Sequence, residues 1–164
     1  MNHHAQIDTW IDQHFDEEVG FLQALVRVPT DTPPGNNTPH AQRTAELLRA
    51  MGMVVEAHEV PAAEVQAQGL ESITNLIVRR RYGDGPTIAL NAHGDVVPPG
   101  EGWTHSPYGA EIENGHMFGR ATAVSKCDFS TFTFALRAVE ALQAKNNLPL
   151  KPLCCVNSHE SYGV

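Results

Sequence analysis

His93 and Asp95 are the two side chains whose types and spacing most directly suggest chemistry. They lie in Asn91-Ala-His-Gly-Asp-Val-Val-Pro-Pro-Gly100. An imidazole can give one ring nitrogen to a metal ion while a nearby carboxylate holds the other and fixes the tautomer. Residues two apart in an extended segment also share a face. The preceding run, Pro86-Thr-Ile-Ala-Leu-Asn-Ala92, has the character of a short buried strand. The pair therefore falls at or just past a strand end, where open α/β sheets build their sites. The same tripeptide also reads as a polar turn, with His93 in solvent and Asp95 opening the turn.

Two further segments belong with it. Gly119-Arg120 lies in a loop that runs into a helix, and Ser158-His-Glu-Ser-Tyr-Gly163 follows the next predicted strand. Carboxyl ends of strands in an open sheet cluster around one crevice. A histidine with several carboxylates in such a crevice suits a divalent metal ion that activates water. Zinc is the leading candidate, because imidazole plus carboxylate suits it, and cobalt or manganese are compatible.

The elements that must position these residues can be read from periodicity. Ile7, Trp10, Ile11, Phe15, Val19, Leu22, Leu25 and Val26 draw one helical stripe over residues 5–28, which Pro29 stops. Residues 30–39 have loop composition. A second helix is predicted over 40–51 with Gly52 as its stop. Strands are predicted over 54–60, 74–82 and 87–92, with 61–69 ambiguous and Gly83-Asp-Gly-Pro86 a turn. Residues 98–119 are rich in loops and carry the turn Glu113-Asn-Gly115. Residues 129–142 are helical and apolar enough to be largely buried, and a last strand spans 148–156. Strand, helix, strand is the order of a parallel crossover unit.

The chain has 164 residues, 41% hydrophobic and 18% charged, which are globular values. That length fits one domain with a real core. A net charge of -8 argues against nucleic acid or an anionic membrane surface as partner. The one basic run, Arg79-Arg80-Arg81, reads as a solvated strand edge rather than a phosphate patch. Cys127, Cys154 and Cys155 make no disulfide framework. The start has no signal-type apolar segment, and no run approaches the roughly 20 apolar residues of a membrane span. A reducing cytoplasm is the expected location.

In these segments the chain resembles the M20 metallopeptidase and amidohydrolase family. The likeness runs through Leu25-Val-Arg-Val-Pro-Thr30, Asn91 to Trp103, Ser106-Pro-Tyr108, Glu113 to Arg120, and His159-Glu160. The resemblance implies an α/β fold, a partial zinc-exopeptidase-like α/β/α sandwich with a mixed sheet, truncated. It implies residues 1–164 as the amino-terminal part of a catalytic metal-binding domain, without the lid and dimerisation domain or the carboxyl-terminal half. His93 matches the metal-binding histidine and Asp95 the carboxylate that orients it. Glu160 matches the glutamate that takes a proton from the attacking water. The implied substrate is an N-acyl amino acid or small peptide with a free carboxylate, cleaved at an amide bond. Nothing in the residues speaks to the oligomeric state.

The chain departs from that pattern in three places. Val124 stands where the family carries a metal-bridging Asp, and valine cannot bind a metal. Ser125-Lys-Cys-Asp-Phe129 resembles a branch with a Val-Ser-Lys-x-Asp-Phe run, in which Asp128 would supply the carboxylate from one turn further along the helix. Asp128 also reads as a cap of the helix N-terminus. Ser161 replaces a second ligating Glu, and the chain is shorter than family members. Two functions follow. One is a metal-dependent hydrolase. The other is a non-catalytic truncated remnant that binds at most one metal or a partner chain.

Overall fold

In the computed structural model, residues 2–146 are described in full and residues 153–158 by their backbone. The elements are α1 (His3–Val26), α2 (Thr38–Ala50), β1 (Val55–Glu59), α3 (Ala62–Ala67), β2 (Thr74–Arg80), β3 (Thr87–Ala92), β4 (Glu111–Glu113), β5 (His116–Phe118), α4 (Lys126–Asn146) and β6 (Leu153–Ser158). The ambiguous segment after Pro61 forms the short helix α3. The last helix begins three residues before the apolar stripe does, at a first turn where the Ser125 hydroxyl donates to Asp128, polar side chains that hydrophobic periodicity does not register.

The main sheet has four strands in the order β1-β2-β6-β3. β1 and β6 pair antiparallel with β2, and β3 pairs parallel with β6. The β3–α4–β6 segment is thus the expected parallel crossover. Its register sets Ala92 opposite Ser158, so both strands leave the sheet at the same end.

Burial on β2 alternates, with Thr74, Leu76 and Val78 on the buried face. Leu76 and Val78 join Phe21 and Leu25 of α1, Ala41, Ala45 and Leu48 of α2, and Phe129, Phe134 and Leu136 of α4 in one core cluster. All three long helices therefore gather over one face of the sheet. The described residues supply the sheet and one helical layer of the expected sandwich.

Arg79 and Arg80 lie on an interior strand, not at a sheet edge, which corrects the reading of that run. Charge pairing keeps them there: Arg79 meets Glu56, and Arg80 meets Glu140 at 3.1 Å, while Arg81 beyond the strand meets Asp84. Among the described residues no helix is long and apolar enough to cross a membrane.

A polar pocket sits inside the core. Lys126 is fully buried, and its Nζ donates to the carbonyls of Val28 at 2.7 Å and Leu25 at 3.2 Å. His40 is buried beside it, stacked edge-on against Phe129, and its Nε2 has no hydrogen-bond partner among the described residues. Burial, and then the Lys126 ammonium, hold the His40 imidazole well below its ordinary range.

In the unfolded chain His40 titrates near its ordinary value of about 6.5. Below that pH the unfolded chain binds a proton that the folded chain refuses. The contribution to stability is present above about pH 6.5 and is lost as pH falls toward the folded value. His40→Gln is expected to flatten this dependence by up to about 1.4 kcal/mol per pH unit. Urea unfolding of both proteins between about pH 7.5 and pH 5 reads the difference, and parallel curves would exclude it.

Candidate metal centre

β3 ends at the buried Ala92, and the chain leaves the sheet at His93. The loop after α1 holds the next residues in place. Val96 forms a parallel bridge with Asp31, the Thr32 N–H donates to Val96 O at 2.8 Å, and the Val96 N–H donates to Thr30 O at 3.1 Å. The buried Thr30 hydroxyl donates to Gly94 O at 2.7 Å. The segment Thr30 to Thr32, which sequence reading leaves as a loop, is thus the clamp that shapes the His93 turn.

His93 Nδ1 lies 3.1 Å from Asp95 Oδ1 and 3.1 Å from the Asp95 carbonyl oxygen. The carbonyl only accepts, so in the neutral ring Nδ1 carries the proton and Nε2 keeps its lone pair. The Asp95 side chain is 19% exposed and that of His93 36%, so the anchor is sheltered while the ring stays accessible. The imidazole is thus held in one orientation rather than turning freely in solvent.

α4 brings a second carboxylate to this node. The His93 N–H donates to Ser125 Oγ at 3.3 Å, and the Ser125 hydroxyl donates to Asp128 Oδ2 at 2.8 Å. The Asp128 N–H returns to Ser125 O at 2.9 Å. Ser125 and Asp128 therefore form a hydrogen-bonded pair at the first turn of α4, where a carboxylate is favoured. That pair is tied directly to the backbone of His93. Val124 precedes it with 67% exposure, and its side chain has no donor atom.

Sequence reading did not single out Ser125. The signal was present as Ser-x-x-Asp opening an apolar helix. The predicted residue Glu160, with His159, lies outside the described residues.

The Gly119-Arg120 loop closes another side. A Cβ on Gly119 would stand 2.8 Å from Val26 Cγ1, so only glycine permits this approach to α1. The Arg120 N–H then donates to Pro107 O at 2.6 Å and its Nε to Val97 O at 2.9 Å. Tyr108 donates its hydroxyl to Asp31 Oδ1. Burial and that carboxylate push the Tyr108 phenol above its ordinary range, so it stays a donor.

The donor set fits a divalent metal ion at His93: a free Nε2 lone pair, a fixed tautomer and an orienting carboxylate are the usual surroundings of a ligating imidazole. Among the described residues, no group of three His, Cys, Asp or Glu ligand atoms gathers around His93. The one such group consists of His105, Glu111 and Glu113.

This scaffold is a mixed α/β fold shared with solved dipeptidases. It superimposes on the Saccharomyces cerevisiae di-peptidase Dug1p with a TM-score of 0.77 at 15% identity, covering 97% of this chain and 35% of that one. For human carnosine dipeptidase 1 the TM-score is 0.71 at 20% identity, covering 95% of this chain and 34% of that one. At these identities the likeness concerns the fold alone.

Residues 89–156 match the model of Peptidase family M20/M25/M40. Succinyl-diaminopimelate desuccinylase of Rhodospirillum rubrum is 41% identical over 120 residues, which are 73% of this chain and 29% of that protein. The desuccinylase of Wolinella succinogenes is 31% identical over 122 residues, which are 74% of this chain and 30% of that protein. The chain belongs to the M20 peptidase family, matched over part of its length, and spans about 30% of the length of these relatives.

Proposed function

We propose that residues 1–164 are the amino-terminal part of the catalytic domain of an M20-type metal-dependent hydrolase. Its reaction is cleavage of the amide bond of an N-acyl amino acid or small peptide with a free carboxylate, in the cytoplasm. The observation that carries this reading is His93 Nδ1 held at 3.1 Å by Asp95 Oδ1 at the carboxyl end of β3. The family match over residues 89–156, which contain that pair, supports it.

His93 Nε2 would hold the metal, with Asp128 as a second ligand. Zinc suits this donor set best, with cobalt or manganese as alternatives. When bound, such an ion polarises a carbonyl and makes water a stronger nucleophile near neutral pH. The residues of the chain do the rest. Asp95 keeps the His93 proton on Nδ1. Ser125 holds the Asp128 carboxylate and the His93 backbone in one hydrogen-bonded unit. Glu160 accepts the proton of the attacking water and returns it to the leaving amine. Substrates that share an N-acyl amino acid core are the class to try, given the desuccinylases among the relatives.

A second reading, a non-catalytic chain that binds at most one metal, is favoured by one observation. No three-ligand group forms around His93 among the described residues. Metal analysis and hydrolysis of a panel of N-acyl amino acids separate the two. Under the hydrolase reading, turnover requires the metal and falls at least about 1,000-fold in Glu160→Gln, the upper part of what a lost general base costs. Metal binding at His93 without turnover of any panel member, under conditions where a full-length relative is active, would leave the second reading standing.

A further inference from the structure

We propose that the β4–β5 hairpin and the loop before it form a second divalent-metal site, separate from His93, with His105, Glu111 and Glu113 as ligands. The ligand atoms of His105, Glu111 and Glu113 all lie within 4.8 Å of one another. His105 Nε2 is 3.5 Å from Glu113 Oε1.

The hairpin explains why these groups converge. Asn114 and Gly115 have φ of 51° and 78°, the left-handed pair of a tight two-residue turn. The resulting register sets Glu111 opposite Phe118 and Glu113 opposite His116. Residues two apart on a strand share a face, and so do directly opposed residues. Glu111, Glu113, His116 and Phe118 therefore occupy one face of the ribbon. His105 covers that face from the preceding loop, its ring stacked on Phe118 at 4.0 Å and 7°.

The stacking fixes the plane of the imidazole. The His105 side chain is 18% exposed and that of Glu113 59%, so the site has a sheltered floor and an open mouth. His105 Nδ1 pairs with Thr104 Oγ1 at 3.0 Å, and Nε2 is the nitrogen within the cluster.

Charge points the same way. Among the described residues, neither Glu111 nor Glu113 forms an ion pair with a lysine or arginine. Two carboxylates share one small volume with the His105 imidazole and with no lysine or arginine among the described residues paired to them. A divalent cation there turns a repulsive cluster into an attractive one. Imidazole with carboxylate selects zinc, cobalt or manganese over calcium and magnesium, which favour oxygen ligands alone.

None of these residues belongs to the His93 node, and the proposal does not rest on the hydrolase reading. The test is a zinc titration of the 164-residue chain carrying His93→Ala, which removes the other centre. His3 and His4 are replaced by alanine in the same background to remove adventitious binding at the start of α1. One equivalent of zinc is expected to remain. Adding Glu111→Gln and Glu113→Gln, amide isosteres at exposed positions, is expected to weaken it at least tenfold while the circular dichroism spectrum stays unchanged. Cobalt(II) in place of zinc gives a second readout: a visible d–d band that the two Gln substitutions abolish. Absence of the remaining equivalent, or binding and a cobalt spectrum indifferent to both substitutions, overturns the proposal.

Discussion

His93→Ala is expected to weaken the metal equivalent held at this centre by more than about 100-fold, and Asp95→Asn by about 10–100-fold. The order follows from what each side chain does. His93 offers the Nε2 lone pair itself, and alanine leaves nothing in its place. Asp95 acts through the ring. Its carboxylate accepts the Nδ1 proton at 3.1 Å, which fixes the tautomer and raises the basicity of Nε2. An asparagine oxygen can still accept that proton, but the negative charge is gone, so the loss is partial. Both substitutions lie in a loop that the Thr30 and Thr32 hydrogen bonds hold independently, so the fold is expected to survive them. Zinc titration of the three proteins, with the His105 cluster disabled in each, measures the order directly. An unchanged affinity in His93→Ala would remove the ligand assignment, and with it the reason for reading this node as a metal centre.

The second large effect is on stability. Lys126→Met is expected to destabilise the fold by about 2–4 kcal/mol. Lys126 is fully buried, and its ammonium donates to Val28 O and Leu25 O at the carboxyl end of α1. A cation there complements the negative end of the α1 dipole. Hydrogen bonds to a charged group are worth about 1.5–3 kcal/mol each. Methionine fills nearly the same space but donates to neither carbonyl. Part of the loss is offset, because an ammonium no longer has to be kept from water. Breaking one side of a buried polar cluster usually outweighs that relief, so the net sign is destabilising. Urea unfolding is the measurement, and a change below about 0.5 kcal/mol would mean that desolvation cancels the hydrogen bonds. The same substitution removes one of the two influences that lower the His40 imidazole. The loss of stability with acid is therefore expected to become shallower in Lys126→Met than in the parent.

Much of the scaffold was legible from periodicity. The apolar stripe over residues 5–28 is α1, and the segment 87–92 is β3 to the residue. The strand–helix–strand order around α4 is the parallel crossover it suggested. These succeed because burial of one face is a local demand, written every second or every third to fourth residue. The start of α4 and the interior place of the arginine strand depend on polar partners, which periodicity does not carry. Ser125 and Asp128 begin the helix by hydrogen bonds to one another, and the arginines are tolerated inside the sheet through Glu56 and Glu140.

By itself the sequence determined the three long helices and the strands β1, β2 and β3, the acidic character of the chain, and the place of the His93–Asp95 pair at the end of β3. That pair is legible because its two members are neighbours in the chain, so their meeting needs only a local turn. Tertiary structure alone decided that Thr30 and Thr32 clamp that turn, that Ser125 joins His93 to Asp128, and that Lys126 reaches back to the end of α1. It also decided that His105 folds over Glu111 and Glu113 on the hairpin face. The physical reason is common to all of them. A hydrogen bond or ligand cluster between distant residues is fixed by how packed helices and paired strands align in space, and no periodicity along one segment carries that information.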